Sequence, residues 1–205
     1  MSFPKIYLFG DSLIEQSFAL ARHGFGAALA NAYARRADVL NRGLSGYNTT
    51  WLLPFLHALL AAPDAAPALL WVIWAGANDA VLPPLPHHVP VATYAANLRA
   101  MVVAVRAEAP AAKVLVITPP PINHAMLVRS HRRHGADRDP AVVREYATAA
   151  RTVGEELAAE DAAVGVIDYY SVLEAAAETE AGLENYMTDG LHLGVKVSFV
   201  WGERG

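Results

Sequence analysis

Five short segments of nearly continuous apolar character, separated by longer stretches with helical patterning, constrain this chain more than any other feature. The first is Lys5-Ile6-Tyr7-Leu8-Phe9, rich in β-branched and aromatic residues and closed by Gly10. Residues 38–41, 69–74, 113–118 and 164–168 repeat the type, each about as long as a buried strand. Strands open to water on one face alternate apolar with polar side chains, whereas strands covered on both faces do not, so these read as parallel strands of an internal sheet. Between them, residues 25–36, 50–62, 93–108 and 140–160 carry helical patterns. In the third, Tyr94, Leu98, Met101 and Val105 fall at spacings of four, three and four, which puts them on one helical face. Strand alternating with helix predicts an α/β chain with a parallel sheet between helical layers. Such a sheet carries its working residues on the loops beyond the carboxyl ends of its strands. Residues 82–90, 119–121 and 129–139 are the long loops expected at that edge.

At 205 residues the chain suits one large domain with an ample core and leaves little room for two. The hydrophobic fraction of 54% is inflated by 40 alanines. The longest run without a charged or strongly polar side chain, residues 65–77, is interrupted by Pro67 and Gly76 and falls short of the ~18 apolar residues of a membrane span. Sixteen Lys and Arg against twenty Asp and Glu leave a net charge of −4, with the arginines scattered outside residues 129–138, which argues against a nucleic-acid partner. The absence of cysteine excludes disulfide scaffolds, thiolate metal sites and cysteine nucleophiles, so any covalent catalysis has to use oxygen or nitrogen. Residues 1–5 lack the basic start and apolar stretch of a signal peptide, and the expected address is cytoplasmic. Nothing in the pattern selects an oligomeric state.

The first strand runs into Gly10-Asp11-Ser12-Leu13. A serine just past a strand end, behind a glycine that allows a tight turn, can present both its hydroxyl and its own N–H to a crevice. Taken alone, an Asp-Ser pair more often marks a helix N-cap. Near the other end stands Thr188-Asp189-Gly190-Leu191-His192. Three residues apart, the Asp189 carboxylate can hold the His192 imidazole in the tautomer that accepts a serine proton, although Asp-Gly by itself is an ordinary turn pair. Acyl transfer also needs donors aimed at a developing oxyanion. Gly43, within residues 41–49, and Asn78, in Gly76-Ala77-Asn78-Asp79, follow the second and third strands and supply a backbone N–H and a neutral amide. Three successive strand ends therefore carry serine, glycine and asparagine, with the Asp/His pair after the fifth.

This pattern resembles the four motif blocks of the SGNH hydrolases, also called GDSL esterases or lipases, whose named residues are Ser, Gly, Asn and His. Here the blocks match Gly10-Asp11-Ser12-Leu13, Gly43 in its loop, Gly76-Ala77-Asn78-Asp79 and Asp189-Gly190-Leu191-His192. Residues 39–49 and Tyr94-Ala95-Ala96-Asn97-Leu98 look more narrowly like the isoamyl acetate-hydrolysing esterase branch. The resemblance covers about residues 5–193. It implies a three-layer αβα sandwich on a five-stranded parallel sheet of flavodoxin-like order, with residues 1–193 as the hydrolase domain. It further implies Ser12 as nucleophile, His192 as base and Asp189 as its orienter, with the Ser12 N–H, the Gly43 N–H and the Asn78 amide as oxyanion hole. The expected partner is a small carboxylic ester, with no cofactor and no metal. The same centre also serves thioesterases, lysophospholipases and acyltransferases, because the motifs fix the reacting groups but not the pocket.

Three other signals stay outside the expected site. Gly24-Phe25-Gly26 lacks the third glycine of a dinucleotide fingerprint and reads as a helix start. Gly43-Leu44-Ser45-Gly46 is one residue short of a Gly-x-Ser-x-Gly elbow, and His131-Arg132-Arg133-His134 reads as a solvated loop. After Leu193 the chain departs from the family: residues 194–205 alternate apolar positions in steps of two from Val195 to Trp201, which suits a strand. The expectation is an atypical tail in place of the family's final helix, from an alternative or retained-intron ending, giving lower stability and lower esterase activity than a form with that helix; the alternative is a catalytically weak or inactive truncated form.

Overall fold

The computed structural model describes residues 3–22, 24–62, 68–130, 137–179 and 182–194. Strands β1 (Lys5–Gly10), β2 (Asp38–Gly43), β3 (Ala68–Trp74), β4 (Lys113–Ile117) and β5 (Val164–Ile167) form one parallel sheet in the order β2-β1-β3-β4-β5. The expected flavodoxin-like order is therefore present, with the topological switch at β1 between β2 and β3. The helices are α1 (Ser12–Glu15), α2 (Phe25–Ala32), α3 (Thr49–Leu60), α4 (Val91–Glu108), α5 (His124–Ser130), α6 (Pro140–Glu160) and α7 (Tyr169–Thr179). Expected strands and long helices lie where their patterns put them, with ends shifted by up to four residues. Three helices were unforeseen. α1 begins at Ser12, α7 begins one residue past β5, and the last two residues of α5 overlap the segment read as a loop at residues 129–139. The expected tail after Gly194, the strand pattern it carries and the 131–134 cluster lie outside the described residues.

Local chemistry starts the helices. Asp139 accepts the N–H groups of Ala141 and Val142 with Pro140 at the first turn of α6, and Asn48 accepts the Trp51 N–H at the start of α3. Gly24 caps α2 at its N-terminus, in line with the sequence reading. The stripe Tyr94, Leu98, Met101 and Val105 is the buried face of α4. On the sheet, Tyr7 stacks on its cross-strand neighbour Trp71 with ring centroids 4.1 Å apart. Trp74 meets Phe25 of α2 and Tyr169 of α7 and donates its indole N–H to the Thr118 carbonyl at 3.0 Å. The helices α3, α4 and α6 pack beside one another, and Gly154 lets α6 close on Val166 of β5. An apolar groove of about 390 Å³, lined among others by Phe25, Leu29, Val72 and Ile117, lies between α2 and strands β3 and β4. No helix of the described residues is long and apolar enough to cross a membrane.

The tightest point of the sheet is the end of β1. A Cβ on Gly10 would lie 1.9 Å from the Trp74 carbonyl oxygen and 2.9 Å from Ile14, and backbone cannot yield as a side chain can. Gly10→Ala should therefore cost on the order of 3 kcal/mol or more, a drop in melting temperature of about 6–12 °C for a domain of this size. A thermal melt within about 2 °C of the parent would show that β1 and β3 separate easily.

Candidate active site

The loop after β1 and the segment after α7 bring Ser12, His192 and Asp189 together, and Asn78 of the loop after β3 bonds Tyr47 of the loop after β2. Past Gly10, the Asp11 N–H donates to the Trp74 carbonyl, and Asp11 caps α1 by accepting the Leu13 N–H at 2.9 Å. The cap is thus Asp11 and not Ser12. Ser12 takes the first position of α1, where a backbone N–H has no intrahelical acceptor, and is 6% exposed. Leu13 and Ile14 anchor the short helix in the core.

His192 Nε2 lies 2.9 Å from Ser12 Oγ, and His192 Nδ1 lies 2.7 Å from Asp189 Oδ2. The other carboxylate oxygen, Oδ1, accepts the backbone N–H groups of Leu191 at 3.0 Å and His192 at 2.8 Å. Burial alone would raise this carboxyl, but these bonds and the imidazole hold it well below the usual carboxylate range. An ionised Asp189 accepts the proton on Nδ1, which leaves Nε2 as an acceptor toward the Ser12 hydroxyl. The loop is closed at its neck by the Thr188 N–H on the His192 carbonyl and by a bridge between Met187 and Leu193. From outside, α5 clamps it. Ser130 Oγ donates to the Asp189 carbonyl, and the Asn123 N–H donates to the carbonyl of Gly190. Gly190 has φ +96°, and a Cβ there would meet Asn123 O and Leu127 N at 2.5 Å, so only glycine fits.

The two remaining expected residues are differently placed. Gly43 pairs with Gly10 in register, and a Cβ on it would lie 2.0 Å from Glu15 N. Its N–H, however, donates to Asn41 Oδ1 at 2.9 Å, while Asn41 Nδ2 reaches the carbonyls of Ile14 and Glu15. Asn78 is buried on the loop after β3. One of its Nδ2 hydrogens goes to the Tyr47 carbonyl at 2.9 Å, and its Oδ1 accepts from Arg138 at 3.1 Å. Ser12, His192 and Asp189 are therefore joined in one hydrogen-bonded line, and Gly43 and Asn78 each already hold a partner. The sequence reading missed Asn41, Arg138 and a buried pair of carboxyls. Asp79 and Asp11 were in view, since each adjoins a residue singled out.

These two carboxyls are fully buried. Burial raises Asp11 to about 7, against the Leu13 N–H, and its Oδ2 has no hydrogen-bond partner among the described residues. Burial also raises Asp79, to about 6, against hydrogen bonds from the Thr49 hydroxyl and N–H.

The fold is an α/β sandwich on a five-stranded parallel sheet, and a hydroxyl, an imidazole and a carboxylate lie in one hydrogen-bonded line beyond its strand ends. The chain belongs to the GDSL-like lipase/acylhydrolase family, whose family model matches residues 8–197, and it is a carboxylic ester hydrolase. It is 37% identical over 201 residues to the isoamyl acetate-hydrolyzing esterase 1 homolog of Bos taurus, covering 94% of this chain and 76% of that protein. A GDSL esterase/lipase of Arabidopsis thaliana is 36% identical over 200 residues, covering 93% and 78%. In fold, the chain matches an acetylxylan esterase from Geobacillus stearothermophilus with a TM-score of 0.69, at 21% identity, over 98% of this chain and 91% of that one.

The buried carboxyls set the pH dependence of stability. Asp11 and Asp79 hold a proton more tightly folded than unfolded, so their contribution is greatest near the unfolded carboxylate range and falls as pH rises toward about 7 and about 6. Asp189 acts in the opposite sense, its contribution being present above that range and lost as pH falls below it. Between about pH 5 and pH 7 the melting temperature should fall and then level off, and Asp11→Asn should flatten the fall by up to about 1.4 kcal/mol per pH unit. An identical slope in parent and variant would show that Asp11 ionises as freely as an exposed carboxylate.

Proposed function

We propose that the chain hydrolyses small carboxylic esters with short acyl groups, with Ser12 as nucleophile, His192 as general base and Asp189 as its orienter. The observation that carries the reading is the unbroken line from Ser12 Oγ through His192 to Asp189, at 2.9 Å and 2.7 Å. In the first step His192 Nε2 takes the hydroxyl proton as Oγ bonds to the ester carbonyl carbon, and the carbonyl oxygen becomes an oxyanion. Asp189 stabilises the imidazolium that forms. Collapse of the adduct breaks the bond to the alcohol oxygen, which receives the proton from His192 and leaves an acyl-serine. Water then repeats the sequence and releases the acid.

The oxyanion falls to the Ser12 N–H, the Gly43 N–H and the Asn78 amide. The Gly43 N–H has to be shared with Asn41 Oδ1, whereas the Ser12 N–H is a helix-start donor and Asn78 keeps one N–H beyond Tyr47. Asn78 is then the donor whose loss costs most. The short acyl group is supported by the relative named for isoamyl acetate hydrolysis. A p-nitrophenyl ester series of increasing acyl length tests it, with acetate expected to give the highest kcat/KM and a maximum at a long chain overturning the size assignment.

Ser12→Ala should abolish turnover, since loss of the serine in the best-studied triad costs on the order of 10⁶. Mass spectrometry should place a fluorophosphonate adduct on Ser12, and an adduct elsewhere would end this reading. Asn78→Ala should lower kcat by roughly 10²–10³ with little change in KM, because the donor acts on the transition state. An effect confined to KM would make Asn78 a substrate contact instead.

A further inference from the structure

One buried cation has no part in the scheme above. Arg138 is 5% exposed, and a guanidinium is costly to bury unless its donors are matched. Its Nε donates to the Ala77 carbonyl at 2.6 Å, its Nη2 to Asn78 Oδ1 at 3.1 Å and its Nη1 to Asp137 Oδ1 at 2.6 Å. Two of the three acceptors belong to consecutive residues of the loop after β3. One of these is the side-chain oxygen of Asn78 itself.

That contact decides which way the Asn78 amide faces. A primary amide has two donors at one end and an acceptor at the other, and turning it over changes its shape very little. Here a group that can only donate, Arg138, meets one end, and a group that can only accept, the Tyr47 carbonyl, meets the other. Turned over, the amide would oppose N–H to guanidinium and oxygen to oxygen. The observed orientation satisfies both neighbours and leaves the second N–H for a ligand. The guanidinium also polarises the amide toward stronger donation, and its charge is felt at Asp11, the neighbour of Ser12.

Resting on the reading of Asn78 as an oxyanion donor, the geometry points to Arg138 as the positioning residue of the hole, locking and polarising the Asn78 amide without touching substrate. A mere tie between residues 137–139 and the loop after β3 would act on stability, and its effect on turnover would not depend on Asn78.

The test is a double-mutant cycle of Arg138→Met and Asn78→Ala, with kcat and KM on p-nitrophenyl acetate and a thermal melt for every variant. Arg138→Met is expected to lower kcat by about tenfold to a hundredfold with KM within about twofold of the parent. In the Asn78→Ala background the same change should cost less than about threefold, because the amide it acts through is gone. Arg138→Lys keeps the charge without the fork and should fall between parent and Arg138→Met; it replaces the latter in the cycle, by the same criterion, if Arg138→Met does not fold. Equal losses in both backgrounds, a loss confined to KM, or a kcat for Arg138→Met within about twofold of the parent would overturn the assignment. Unchanged kcat in Asn78→Ala would remove the oxyanion reading and this one together. A large Asn78→Ala loss beside an additive Arg138 effect would remove the positioning role alone.

Discussion

Backbone meets backbone at the ends of the first three strands. A Cβ on Gly10 would lie 1.9 Å from the Trp74 carbonyl, and one on Gly43 would lie 2.0 Å from the Glu15 nitrogen. Because β1 runs between β2 and β3, Gly10 stands level with Gly43 on one side and Trp74 on the other. The loops that follow leave the sheet from one row. Ser12, Gly43 and Asn78 each sit one to four residues beyond it or at it, so their relative positions are set by sheet register and not by loop flexibility. The Asp11 N–H on Trp74 and the Leu44 N–H on the Gly10 carbonyl continue the ladder into the loops themselves.

Three carboxyls near the crevice have opposite fates, and environment alone separates them. Asp189 sits in a tight loop where two backbone N–H groups and an imidazole surround it, so it stays charged. Asp11 is enclosed with one oxygen unmatched, and Asp79 has Thr49 but no cation in hydrogen-bond contact, so burial raises both, Asp11 to about 7 and Asp79 to about 6. The raised Asp11 and the lowered Asp189 show one residue type pushed in opposite directions by burial and by hydrogen bonding.

Much of this was legible in the sequence because the signals were of the kind that physics writes locally. Strands covered on both faces must be apolar throughout, and β1, β3 and β4 show it. The buried stripe of α4 follows from helical spacing. What escaped was short, or its signal was spent elsewhere. Helix α7 starts behind the single residue Asp168, whose carboxylate accepts the Ser171 N–H but which the sequence reading had placed in the strand, and α5 has only seven residues, too few for a periodic pattern. That the Gly43 N–H meets Asn41 depends on a side chain folding back two residues, which a glycine in a motif does not reveal. Arg138 belongs to a segment rich in charge, and composition assigns such segments to solvent; only tertiary packing turns this one inward.

The donors of the proposed hole differ in what holds them. The Ser12 N–H is fixed by α1 and the Gly43 N–H by the sheet, and backbone groups in such places cannot turn away. The Gly43 donor is shared with Asn41, however, so the third donor carries more of the developing charge, and that donor is a side-chain amide with a freely turning bond. A hole built on an amide works only if the amide has one orientation. Here two neighbours of opposite polarity remove the freedom, and one of them brings a full positive charge into a place where burying it needs a reason. The reason follows from the chemistry. An arginine behind the amide lies one group removed from the oxyanion, close enough to strengthen the donor and too far back to bind the substrate carbonyl in the ground state, which is where a charge has to stand if it is to favour the transition state over the substrate.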